Sequence, residues 1–230
     1  MTVEFSALAR RLGIFSAVSV VVLEVAYAVT LLVGFLSLQS PQQPIGDPMF
    51  SILEVLIIGM MPVMLALMAA VHAWAPSHVK VLTLLAVVFM GVLAGVTCTL
   101  HFVILTLSRQ DSFAVQPWLP LFLSFRWPSV AYAVDIVAWD VFFALSMLLA
   151  APAFGGSRLA GSIRVSMIAS GLLSLAGLGG VVTGSMQLRN IGIVGYLGMS
   201  LVVAGLLAVL FYQSRPVAAP AGERCGPGAA

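Results

Sequence analysis

The chain has 230 residues, of which 61% are hydrophobic and only 8% charged, and its formal net charge is +2. A soluble domain of ordinary composition carries about 25% charged residues, so a soluble globular fold is excluded and an integral membrane protein is expected, surrounded by lipid. The small net charge also gives no support to a nucleic-acid partner.

A spanning helix needs about 20 apolar residues. Six stretches meet that length: 12–38, 49–74, 79–107, 129–154, 162–184 and 191–213. The expected fold is therefore all-α, a polytopic bundle of six transmembrane helices over residues 1–213, in a multi-pass cell-membrane protein. Residues 214–230, rich in Pro, Ala and Gly, are expected to form a disordered tail.

In the first stretch, Arg10 and Arg11 precede the apolar run, and Ala26-Tyr27-Ala28 has the form of a signal-peptide cleavage site. The run continues to Leu38, and Glu24 would sit at the end of the apolar signal region, so an uncleaved helix is expected. Ser40-Pro41 through Pro48 ends it. The second stretch carries Glu54 and Pro62; the proline cannot donate to the Ile58 carbonyl and is expected to kink the helix one turn beyond Glu54. Ala75-Pro76-Ser77 is a tight turn, and the third stretch carries Cys98 and His101. Cys98 and Cys225 offer neither a disulfide framework nor metal-ligand spacing, so no metal or cofactor is expected.

The connection 108–128 is the one long one, and its second half is aromatic: Trp118, Phe122, Phe125 and Trp127. It reads as an interfacial segment or as a lid over a pocket on that face. The fourth stretch holds Asp135, Trp139 and Asp140, and Pro152 with Gly155-Gly156 closes it. Arg189-Asn190 divides the fifth stretch from the sixth. Gly91 with Gly95, Gly180 with Gly184, the Ser166, Ser170, Ser174 stripe, and Gly192, Gly195, Gly198 all read as places of close helix approach.

Lys and Arg in short connections set orientation. Arg10, Arg11, Lys80, Arg158, Arg164, Arg215 and Arg224 fall on one side, against Arg109, Arg126 and Arg189 on the other. Both termini are accordingly expected in the cytoplasm. No internal repeat is evident, so a pseudo-symmetric transporter lacks sequence support.

Of eight acids, Glu24, Glu54, Asp135 and Asp140 fall inside expected helices. A charge at the bilayer centre costs about 2.5–3.5 kcal/mol on insertion scales, so such residues face a partner or a cavity. At a helical rise of about 1.5 Å per residue, Glu54, His101 and Asp135 lie about 8–9 Å from the outer ends of their helices. Three helices thus offer them at one level, while Glu24 and Asp140 lie nearer mid-depth. Asp135 and Trp139, four apart, share a face, with Tyr132 on the Asp135 side. Asp140 is turned about 140° from Asp135 and faces other neighbours. Glu24, Asp140 and His101 each have a plain alternative as hydrogen-bonding groups between helices. Glu54 and Asp135 at one depth point more strongly to function, as a pair sharing one proton in a dry, aromatic-lined hollow. Nothing resembles a Ser-His-Asp spacing, a phosphate-binding glycine loop or a zinc-protease motif.

The runs SVAYAVDIVAWDVFFALSMLLAAPAFGGSR and LHFVILTL resemble stretches of small bacterial six-helix integral membrane proteins of unassigned function. In size and helix number the chain also resembles the drimentine-type bacterial membrane terpene cyclases. That resemblance implies metal-free cyclisation of a prenyl or epoxy-prenyl chain, begun by protonating it. Glu54 and Asp135 would then exchange protons with the substrate. Trp139, Tyr132, Phe102 and Phe142 would offer aromatic faces to a carbocation, and His101, Asp140 and Glu24 would complete the wall around a lipophilic small molecule. A proton-coupled carrier and a non-catalytic membrane subunit are the alternatives, and a homo-oligomer is compatible with each.

Overall fold

The computed structural model describes residues 5–40 and 43–214; the expected tail from 215 onward, with Arg215, Arg224 and Cys225, lies outside them. Among the described residues the chain is helical and has no strand. Six helices are long and apolar enough to cross a membrane: α1 (Ala7–Leu36), α2 (Met49–Trp74), α3 (Ser77–Leu107), α4 (Val130–Ala153), α5 (Arg158–Thr183) and α6 (Met186–Gln213). Their outward faces carry Val, Leu and Phe, such as Phe15, Val25, Leu84 and Val182. A soluble protein would not leave so much apolar surface bare, but lipid solvates it.

Each helix packs on its neighbour in sequence, and α6 returns to α1, closing the ring. Polar side chains fasten the ends. Ser6, Ser129, Ser157 and Ser185 each accept a hydrogen bond from a first-turn backbone N–H of the helix they precede, satisfying donors a helix start leaves free. Arg10 donates from Nε to the Phe211 carbonyl at 3.0 Å and from Nη2 to that of Tyr212 at 2.7 Å. Lys80 closes the end of α2 in the same way, donating to the carbonyls of His72 and Ala73.

The α5–α6 turn differs from the expected one. Gly184, at φ 72°, ends α5 and Ser185 begins α6. Arg189 is therefore not a loop charge: it lies inside α6 and is 2% exposed. A charged residue beside Asn resembles a connection in sequence, whereas only Gly reverses the chain through a left-handed conformation without penalty.

Close approach is selective among the small residues. Gly91 and Gly95 do not mark a tight crossing, with Leu65 3.9 Å from a Cβ built on the first and nothing within 4 Å of one on the second. Gly195 does: its Cβ would lie 2.6 Å from the Ser174 nitrogen and 2.7 Å from the Ser170 oxygen. Ser170 Oγ also donates to the Gly195 carbonyl at 2.8 Å. Gly195→Ala is expected to cost about 1–3 kcal/mol by overpacking. Gly95→Ala, the matched control, should leave thermal unfolding in detergent no lower than wild type; equal stability of the two variants would contradict this packing.

Pro62 lies inside α2, and the Ile58 carbonyl it cannot bond receives the Cys98 thiol of α3, with sulfur at 3.7 Å. Two wider π-helical segments interrupt the α pattern, Val137–Phe143 in α4 and Val194–Met199 in α6. They pack on each other through Trp139 and Tyr196, ring centroids 5.1 Å apart. Such segments recur where a helix carries function. At the centre, Met64 and Met68 of α2, Met90 of α3, Met147 of α4 and Met167 of α5 surround a cavity of about 20 Å³.

Candidate functional site

Glu54 of α2, His101 of α3 and Asp135 of α4 meet inside the ring. His101 Nδ1 lies 2.8 Å from Glu54 Oε2, a full hydrogen bond, and Nε2 lies 3.6 Å from Asp135 Oδ1. The second distance is too long for a direct hydrogen bond, and Nε2 and Oδ1 are buried without another partner. The two acids do not enclose an open hollow, as the sequence leads one to expect: the imidazole fills the space between them. Glu54 and His101 are 3% and 4% exposed.

The cover on this cluster comes from the long connection. Two short helical turns, Asp111–Ala114 and Leu119–Phe122, lead to Phe125, whose ring stacks on His101 with centroids 5.0 Å apart. Trp118 stands edge-on to Phe113 and Phe122, tying the segment to itself. At the same end Arg109 Nη2 donates to Asp47 Oδ1 at 2.8 Å and lies over Phe50. The Ser51 hydroxyl and Arg109 together hold the exposed Asp47 carboxyl below the usual range.

A second polar group lies deeper. Arg189 Nε is 3.8 Å from Asp140 Oδ2, and neither side chain is more than 2% exposed. Arg189 also lies over the rings of Tyr132 and Tyr196, at 5.1 and 5.5 Å from the centroids, where the ring quadrupole stabilises a cation. Two glycines make room for the carboxylate: a Cβ at Gly192 would sit 2.7 Å from Asp140 Oδ1, and one at Gly177 3.0 Å from Oδ2. The two groups share α4, which supplies Asp135 to the first and Asp140 to the second. Glu24 forms a third group on the α1–α6 contact, where Ser200 Oγ donates to its Oε1 at 2.6 Å.

The remaining expected residues are dispersed. Trp139 is buried against Phe143 and Tyr196. Phe142 stacks on Phe89 between α3 and α4. Phe102, 58% exposed, faces outward and lines no interior site. Tyr132 serves Arg189. Sequence reasoning missed Phe125, Arg189 and Tyr196 as site residues. An unmatched arginine beside four intramembrane acids was the available signal for Arg189. Among the described residues no group of three or more His, Cys, Asp or Glu is disposed to hold a metal ion. Compared with protein-family models, with curated proteins and with solved structures, the chain matches none.

Proposed function

We propose that the protein is a proton-coupled carrier of a lipophilic small molecule in the cell membrane, with Glu54, His101 and Asp135 as its proton-binding unit. One observation carries this reading: an imidazole stands between two carboxyls from different helices, 2.8 Å from one and 3.6 Å from the other. Imidazole accepts a proton at one nitrogen and gives one up at the other. Each transfer changes which of α2 and α4 is held to α3, and a two-state element biased in this way is what coupling requires. A cation and a proton compete for the same carboxylates, so the guest class that couples most simply is a lipophilic cation. The Phe125 ring over His101 offers such a guest an aromatic face.

Ethidium uptake into reconstituted vesicles under an acid-inside gradient tests this. Wild type should accumulate the dye only with the gradient, and Glu54→Gln should abolish that dependence while unfolding at the wild-type temperature. Accumulation that is gradient-independent, or unchanged in the variant, would count against the carrier.

A membrane terpene cyclase is the second reading, favoured by the aromatic cover over a carboxyl–imidazole pair. It requires room for a prenyl chain between Glu54 and Asp135, where the His101 imidazole stands. Conversion of a prenylated-indole or epoxy-prenyl substrate by membranes holding the protein would establish it; unchanged linear substrate would count against it.

A further inference from the structure

We propose that the methionine-lined cavity at the centre of the ring binds a soft monovalent metal ion of the Cu(I) or Ag(I) class. The site is separate from the His101 cluster and does not depend on the carrier reading. Five of the eleven methionines in the chain come from four helices to one cavity of about 20 Å³.

Methionine ordinarily fills irregular gaps in a core, but here five methionine side chains line residual space. That space is just above the 10–15 Å³ needed for one water-sized guest, and a water requires two to four polar partners. The wall is aliphatic or thioether apart from Ser200, whose one hydroxyl proton already has acceptors in Glu24 Oε1 and the backbone carbonyls of Tyr196 and Leu197. Water is thus poorly matched, whereas thioether sulfur is a soft ligand that selects Cu(I) over harder ions. A cation in a low-dielectric interior needs a counter-charge. Glu24 is one hydroxyl away from the cavity, 2% exposed, and its Oε2 has no hydrogen-bond partner.

Silver is the redox-inert probe. The 230-residue chain carrying Cys98→Ser and Cys225→Ser is titrated with Ag(I) in detergent by calorimetry, and retained silver is counted after desalting. One ion per chain is expected. Met64→Leu, Met90→Leu and Met147→Leu together should abolish retention; Leu conserves volume, and the unfolding temperature reports whether the fold survives. If the triple variant does not fold, Met90→Leu and Met167→Leu singly should each weaken binding by roughly tenfold or more, through loss of one soft ligand. Glu24→Gln should weaken it too. No retained silver in the cysteine-free protein, or equal affinity in the methionine variants, overturns the proposal.

Discussion

Replacing Arg189 by methionine is expected to destabilise the fold by about 3–5 kcal/mol, the cost of leaving one member of a buried ion pair without its partner. Asp140 is 0% exposed and enclosed by Gly177 and Gly192, so water cannot take over from the guanidinium without parting α4 from α5 and α6. The methionine stem keeps much of the packing against Tyr132 and Tyr196, which isolates the charge. Adding Asp140→Asn should recover most of the loss, because the double variant leaves no charge unpaired. Thermal unfolding of the detergent-purified variants reads both effects. A single variant as stable as wild type would show that Asp140 does not depend on Arg189.

His101→Gln should lower gradient-driven ethidium uptake by about 10²–10⁴-fold, the range over which a positioned acid–base group contributes. Glutamine retains a hydrogen bond to Glu54 but cannot carry a proton from one carboxyl to the other. Its unfolding temperature should therefore stay near wild type while transport falls. Uptake that survives the substitution would place coupling elsewhere.

The six helices were legible because lipid imposes a length and a composition that apolar runs report directly. The level shared by Glu54, His101 and Asp135 was legible too, since helical rise converts residue number into depth. Lateral position was not. Nothing in the periodicity of α3 says that His101 stands between the two acids rather than beside them. Arg189 was misplaced because a charge at the end of an apolar run resembles a loop, and its burial depends on Gly184 turning the chain five residues earlier. The π-helical segments add a residue to the turn without any proline or glycine signal in α4, so the neighbours of Asp140 and Trp139 were beyond periodicity. Phe125 reached His101 by the fold of the long connection, for which aromatic composition indicates depth but not target.

Proton coupling requires His101 to sense both carboxyls, and ¹⁵N NMR of histidine-labelled protein measures that without any transported molecule. The chain has three histidines, so His72→Gln and His78→Gln assign the ring signals. Both Glu54→Gln and Asp135→Asn should move the His101 titration from its wild-type midpoint. A His101 titration that ignores Asp135→Asn would mean the 3.6 Å approach carries no interaction, and the carboxyl–imidazole–carboxyl unit would not exist.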